Sequence, residues 1–295
     1  MNHAFSTYHP IINFGFFCAV IGIGVFVIHP VFIAIAVIAS FSYAISMGSK
    51  STLKFMGCFL LPMIIIVTIV NPLVNHRGST VIYQTEYHPI TMEAAVYGLV
   101  TGLMIATVIL WFNCYSKVMT SDKFVYLFGR IIPSTSLIFS MVMRFIPNYR
   151  MQIAKISDAQ KGIGKDVSSG KVMDRIRHGL RIISIMFTWA LENSIESADS
   201  MRARGYGLKN RTAFSIYRFD KRDALAAAVI AGCTIIVIAG AALGKCAIEF
   251  YPVIVFAQVD ATGIIVYAAY ALLCFFPSLV QLKEVIWWKR SESKI

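Results

Sequence analysis

Charged residues are scarce in this chain, at 14% of its 295 positions against 57% hydrophobic. A soluble domain carries roughly 25% charged residues and roughly 45–50% apolar ones. The deficit argues against an ordinary water-bathed globule and for an integral membrane protein. A cysteine pattern is also lacking. Cys18, Cys58, Cys114, Cys233, Cys246 and Cys274 are scattered, mostly inside apolar runs, with no C-x-x-C spacing. They read as small apolar residues rather than a disulfide framework. The opening "MNHAFSTYHPIINFGFF" has no Lys or Arg before its apolar run and no small-residue cleavage pattern after it. A cleaved signal peptide is therefore not expected, and the first span should stay in the mature protein. The stretch "GIGKDVSSGK" lacks the G-x-x-x-x-G-K-[ST] spacing by which backbone amides cradle phosphate, so it reads as a turn. The histidines, His3, His9, His29, His76, His88 and His178, show no metal-ligand spacing. His76, Glu86 and His88 together would make at most a weak ion site on a loop, and solvated loop residues are the plainer reading.

Long apolar runs are what the sequence has in excess. About 20 predominantly apolar residues cross a bilayer core, and six windows qualify: Ile11 to Ile28, Val31 to Met47, Phe55 to Val74, Glu93 to Tyr115, Ala224 to Leu243 and Val253 to Phe276. His29 and Pro30 leave room only for a tight hairpin between the first two, which are expected to be antiparallel neighbours. The spacings "GLVTG" (Gly98, Gly102) and "GAALG" (Gly240, Gly244) suit close helix packing, although apolar helices contain many glycines in any case. The fold class expected is all-α and membrane-integral, with about six transmembrane helices plus a cytoplasmic domain of long amphipathic helices.

The net charge of +12 does not by itself point to nucleic acid, because it is concentrated. Between Arg144 and Arg222 lie sixteen Lys or Arg residues against seven acids. Each cation would cost roughly 2.5–3.5 kcal/mol at the centre of a spanning helix. This stretch is expected outside the bilayer and, by the positive-inside tendency, in the cytoplasm, together with the link at Lys50 and Lys54 and the tail "KEVIWWKRSESKI". Four spans before it and two after place both termini inside as well. The domains expected are membrane helices over 1–122, an interface-lying segment and cytoplasmic helices over 123–223, membrane helices over 224–282, and a basic tail over 283–295. Within this scheme Lys123 to Pro147 is apolar enough to tempt as a further span. Parity assigns it instead to a re-entrant or interface-lying element, broken at Pro133 and Pro147.

In the basic stretch, Ile146, Tyr149, Ile153, Ile156 and Ile163 recur at helical spacing, and so do Val172, Ile176, Leu180, Ile183 and Phe187. The second pattern continues to Arg204 and stops at "GYG", where Gly205 supplies a left-handed cap. At about 100° per residue, Glu192, Glu196 and Asp199 share one face, while Phe187, Ala190, Leu191, Ser194, Ala198 and Met201 share the opposite one. Arg202 reaches Asp199 at i, i+3 spacing. Arg204 points roughly 120° away from the acidic stripe. A cation there gains about 0.3–1 kcal/mol from the helix macrodipole without any partner, and an unpaired guanidinium also fits a carboxylate groove on another protein.

"RFIPNYRMQIAKISDAQKGIGKD", followed by "TWALENSIESADSMRARGYGLKNRTAFSIYRFDKRD", resembles the transmembrane T component of energy-coupling factor transporters, the family that includes the cobalt and nickel permease subunits. The likeness is strongest over Arg144 to Asp223. In that family a small-Arg-small motif ends each of two cytoplasmic coupling helices, and each arginine docks into a groove of one of two ABC ATPase subunits. The resemblance places the second motif on Ala203, Arg204 and Gly205, supported by Glu192, Glu196, Asp199 and Arg202 of the same helix. The first falls on Gly162, Ile163 and Gly164, where isoleucine stands in the usual arginine's place; Lys161 or Lys165 supplies the charge, or the contact is apolar. The resemblance implies a non-catalytic scaffold with no cofactor of its own, ATP and Mg belonging to the partner ATPases. Its other partners are a separate substrate-binding membrane subunit, which delivers a vitamin or metal ion inward, and the lipid bilayer of the cell membrane; nucleic acid is not among them.

Two other classes compete. A membrane-embedded enzyme acting on a lipid or prenyl phosphate would use Asp158, Asp166 and Asp174, but separations of eight residues do not bring these acids onto one helical turn. A self-contained secondary transporter would show ionisable groups at mid-bilayer, and these are nearly absent from the six windows.

Overall fold

The computed structural model describes residues 4–48, 54–84, 89–129, 133–206, 217–253, 255–256 and 260–292. It divides into two units, Met1–Thr120 with Tyr217–Ile295, and Ser121–Ile216.

Among the described residues, the first unit is a bundle of six apolar helices: α1 (Pro10–Phe26), α2 (Pro30–Ser46), α3 (Leu61–Val74, entered through a wide turn over Met56–Leu60), α4 (Met92–Val118), α8 (Lys221–Ala242) and α9 (Ala261–Glu292). Among the described residues, four segments are long and apolar enough to cross a membrane: Gly57–Val74, Met92–Val118, Lys221–Ala242 and Ala261–Ile286. Helices α1 and α2, of 17 residues each, are shorter. The all-α class holds, with two short hairpins that hydropathy does not reveal: β1 (Val81–Gln84) with β2 (Pro89–Thr91), and β3 (Ile248–Glu249) with β4 (Val255–Phe256).

The second hairpin displaces the last expected span. The window from Val253 to Phe276 begins just before β4 and includes it, and α9 starts only at Ala261, with the Asp260 carbonyl accepting the amide of Ile264. The helix then runs through much of the expected tail to Glu292.

Helices α1 and α2 begin alike. At each start a histidine precedes a proline, and its Nδ1 accepts the amide hydrogen of the residue two further on, His9 from Ile11 and His29 from Val31, both at 3.3 Å. Proline at the first helical position has no amide to satisfy. Such a cap requires the neutral ring with its hydrogen on Nε2, and His29 Nε2 lies 3.4 Å from the Tyr267 hydroxyl. Burial lowers the pKa of both rings; the Asp223 carboxylate partly offsets this at His9. Because the folded-state value is depressed, the unfolded chain takes up protons first as pH falls through the ordinary histidine range near 6.5. Thermal stability in detergent should therefore decline between about pH 7 and pH 5. In the His9→Asn/His29→Asn double variant, which retains side-chain caps, that part of the decline should vanish.

The two helices touch each other little and do not run as closely paired neighbours. Trp111 of α4 and Tyr270 of α9 line the space between them with Val20, Gly24 and Phe32. Trp111 also makes edge contacts with Phe16 and Phe17, and Phe5 closes this aromatic cluster against Phe16, Tyr43 and Phe276.

Helix α4 lies against α3 at its two glycines. A Cβ on Gly98 would sit 2.8 Å from Asn71 Cβ and 3.2 Å from the Thr68 carbonyl oxygen, and one on Gly102 would sit 3.3 Å from the Ile64 carbonyl oxygen. The "GAALG" pair separates into two roles. Gly240 packs directly on Val266, whereas Gly244 has open space around it and a φ of +71°. It caps α8, so its place in the spacing is a helix stop and not a packing contact.

Polar residues pin the ends of the bundle. Glu93 is buried and accepts hydrogen bonds from the Thr80 amide, the Thr80 hydroxyl and the Ser79 hydroxyl. Asn75 donates to the Tyr251 hydroxyl, and the Ser79 amide donates to the Pro252 carbonyl, joining the segment before β1 to the β3–β4 loop. Elsewhere Asp223, in a capping box with Asp220, accepts the His9 amide, and Arg222 lies over the Tyr8 ring.

Candidate functional site

The second unit contains α5 (Ser121–Gly129), α6 (Pro133–Gly162) and α7 (Val172–Ala203). Helix α6 begins at Pro133, but the expected break at Pro147 is absent: the helix runs through it for 30 residues. Pro147 is on the exposed side, where the carbonyl that loses its amide partner is not buried. Next to it, Tyr149 packs edge-on against Trp189 of α7 at 5.6 Å, and Phe145 stacks on Tyr149. These contacts hold the helix across the missing bond.

The amphipathic spacings form these two helices, which meet through a limited apolar patch where Ile156 and Ile182 are buried. The "GIGKDVSSGK" stretch is the turn between them. There Asp166 accepts the Ser168 hydroxyl and amide, which hold its carboxyl below the usual range, with Lys161 Nζ 3.9 Å away. Arg175 Nε donates to the Val167 carbonyl and ties the turn to the start of α7.

Helix α7 has three distinct faces. Ile182 and Trp189 face α6. A second stripe, Val172, Ile176, Leu180, Ile183, Phe187 and Leu191, is 51–72% exposed. On a third, Glu192, Glu196 and Asp199 line a shallow groove with Ile195, Ser200 and Ala203. An exposed apolar stripe of this length on one helix is the kind of surface that meets a protein partner or a membrane.

Helices α6 and α7 end in the same hydrogen-bonded cap. At the end of α7, the Gly205 amide donates to the Arg202 carbonyl and the Tyr206 amide to the Met201 carbonyl, with Gly205 at φ +76°. At the end of α6, the Gly164 amide donates to the Lys161 carbonyl and the Lys165 amide to the Gln160 carbonyl, with Gly164 at φ +77°. This double bond pattern with a left-handed glycine satisfies the last helix carbonyls, and α8 stops the same way at Gly244. The register is thereby fixed. Lys161 corresponds to Arg202, Gly162 to Ala203, Ile163 to Arg204, Gly164 to Gly205 and Lys165 to Tyr206.

In this register Arg202 is beside Asp199 at 3.9 Å, an exposed pair of the kind worth little. Lys161 has Asp166 at the same distance. Arg204 is exposed, and no carboxylate of the described residues lies within ion-pairing reach of it. Its counterpart Ile163 is 62% exposed. Neither lysine beside Ile163 shares Arg204's cap position: Lys161 precedes it by two residues, and Lys165 follows the glycine. Tyr206, which closes the α7 cap, and the Tyr149–Trp189 contact were not legible as site features in the sequence, where each is one aromatic among many.

Asp158, Asp166 and Asp174 do not gather. Among the described residues no three His, Cys, Asp or Glu side chains could hold one metal ion. Glu86 and His88 lie outside the described residues.

A bundle of apolar helices joined in one chain to a unit of long, charged, amphipathic helices defines an α-helical membrane protein with a substantial second unit. The family model for cobalt transport proteins, CbiQ, matches residues 7–214, and the chain belongs to that family. It is 28% identical over 166 residues to the energy-coupling factor transporter transmembrane protein of Staphylococcus aureus, covering 51% of this chain and 61% of that relative. A Listeria monocytogenes protein of the same description is 26% identical over 198 residues, covering 62% of this chain and 73% of that protein. A third, from Listeria innocua, is 37% identical over a shorter stretch of 89 residues, 30% of this chain and 34% of the relative.

Proposed function

We propose that this chain is the energy-coupling membrane scaffold of an importer whose ATP-hydrolysing and substrate-binding parts are separate proteins. The observation that carries this reading is the end of α7, where Arg204 stands exposed on a rigid cap without a carboxylate of the described chain. Guanidinium recognises carboxylate bidentately. The cap holds the backbone beneath it, so a partner's groove meets an arginine whose point of attachment is set in advance.

Two ABC ATPase subunits occupy the cytoplasmic side, one at the end of each coupling helix. ATP-driven closing alters the spacing of those ends, α6 and α7 transmit the change, and a substrate-binding membrane subunit responds by delivering a vitamin or metal ion inward. The exposed stripe on α7 offers that subunit an apolar surface. This chain contributes no cofactor; ATP and Mg reside on the ATPases. The ends of the helical unit and both termini are cytoplasmic, and the bundle spans the cell membrane. Family membership and the descriptions of the relatives support the reading.

The test is affinity isolation of the tagged chain from its native membrane in mild detergent. Two ATPase subunits and a small membrane protein should accompany it. Recovery of the chain alone, with catalytic turnover of its own on a lipid phosphate, would replace the scaffold reading with the enzyme one.

A further inference from the structure

The end of the bundle where α3 gives way to α4 carries an apolar strand that stands open. Among the described residues β1 pairs with β2 alone, and it is β2 that packs on α3 and α4. Val81, Ile82 and Tyr83 of β1 are 49–65% exposed, and no charged residue interrupts the strand. It is nevertheless held firmly. Thr80, directly before it, gives its amide and hydroxyl to Glu93, and the Thr91 hydroxyl donates to the Arg77 carbonyl. Gly78, at φ +144°, passes so close that a Cβ there would sit 2.6 Å from Glu93 Oε2.

The level of this strand follows from helix packing. Gly98 lies against Asn71, so Val74, three residues on along α3, is level with Ala95 of the antiparallel α4. The spanning segment Gly57–Val74 has 18 residues. At about 1.5 Å per residue it covers about 27 Å, close to the roughly 30 Å of a hydrocarbon core. The apolar boundary therefore lies near Val74 and Ala95. Thr91 is about 6 Å beyond it, within a headgroup layer about 5–8 Å deep. Val81 is paired with Thr91, so β1 begins at that depth.

We infer that β1 is an interfacial anchor: Val81, Ile82 and Tyr83 lie in the headgroup layer of the bilayer, and Arg77 meets lipid phosphate. Tyrosine, with an apolar ring and a polar tip, is favoured at this depth. An open strand edge is not tolerated in hydrocarbon, but headgroups and their water satisfy it. Arg77 is exposed, and no carboxylate of the described residues lies within ion-pairing reach of it. Phosphate supplies the missing anion. Addition of a strand from a protein partner is disfavoured by the register. Val81 is opposite Thr91 and Tyr83 opposite Ile90, which leaves Ile82 as the extra residue of a bulge. A bulge twists the strand and spoils its edge for further pairing. The inference needs only that the bundle spans a membrane and is independent of the scaffold reading.

The experiment places the photoreactive residue p-benzoylphenylalanine at Ile82, and separately at Tyr83, where exposure means that no core packing is lost. Irradiation is carried out on the intact complex in its native membrane and on the purified chain in vesicles of phosphatidylethanolamine and phosphatidylglycerol, with adducts identified by mass spectrometry. Lipid adducts should form in both settings, about tenfold or more above the yield from the same residue at the exposed Glu196 of α7. Arg77→Glu, which sets a carboxylate against the phosphates, should lower the lipid adduct at Ile82 several-fold. Adducts mainly with another subunit would make β1 a protein-docking edge, and a probe that forms no adduct in either setting would place the strand in water; either result overturns the inference. A yield indifferent to Arg77→Glu would overturn the phosphate contact. None of these outcomes bears on the scaffold reading, which is decided by whether ATPase subunits accompany the chain.

Discussion

Arg204→Glu should leave the protein in the membrane and strip it of ATPase at that end. The residue is exposed beyond the last turn of α7, so reversing its charge removes no packing from either unit. The cap is made by the Gly205 and Tyr206 amides and does not involve the side chain. In the complex, however, a carboxylate meant for the guanidinium would face another carboxylate. Removing one member of a desolvated, hydrogen-bonded charge pair costs about 2–5 kcal/mol, and repulsion adds to this. The expected result is at least about a thirtyfold weaker association and a matching loss of uptake. Arg204→Lys should be intermediate, because an ammonium keeps the charge and loses the bidentate fork. Arg202→Glu two residues earlier should cost far less, since its exposed Asp199 pair contributes little. Transport at the normal rate by Arg204→Glu would reduce the residue to a helix-terminal cation.

Gly98→Leu should break the membrane bundle. Even the first carbon of a side chain at this position would sit 2.8 Å from Asn71 Cβ and 3.2 Å from the Thr68 carbonyl oxygen. The obstruction includes the backbone of α3, which cannot turn aside as a flexible side chain can. Overpacking typically costs about 1–3 kcal/mol, occasionally more, and a leucine here should reach or exceed the upper end. The variant should lose most folded protein on extraction into detergent, with Gly98→Ala already less heat-stable. Gly232 supplies the contrast. No neighbour lies within 4 Å of a Cβ built there, so Gly232→Ala should be neutral, or stabilising by up to about 1 kcal/mol through helix propensity. Equal effects at Gly98 and Gly232 would show that close approach of α3 and α4 is not what Gly98 provides.

These two residues also show why some features were legible in the sequence and others were not. Periodicity and apolar run length are summed over many residues. They therefore located the bundle helices, the two long amphipathic helices and the stop at Gly205. A glycine carries no such redundancy: Gly98 and Gly240 pack while Gly244 caps, and the spacing alone treats Gly240 and Gly244 as a pair. Proline rules failed at Pro147 because aromatic contacts with α7 hold the helix across the lost hydrogen bond. Hydropathy misplaced the last span because β4 is apolar in its own right. At the candidate site, the geometry of Arg204 followed from helical angles, but its equivalence with Ile163 needed the hydrogen bonds of both caps. Glu93 and Asp223 were invisible as organising residues, since their partners come from loops and from the opposite end of the chain.

The proposed coupling requires that the ends of α6 and α7 move relative to each other when ATP binds. Spin labels on Asp158 and Ser200, two exposed positions within about one turn of the caps, report that spacing in the assembled complex by pulsed electron resonance. The account predicts a distance distribution that shifts by several ångströms, about the rise of one helical turn, between the nucleotide-free and ATP-bound complexes. Identical distributions in the two states, from a labelled complex that still hydrolyses ATP and imports its substrate, would contradict it.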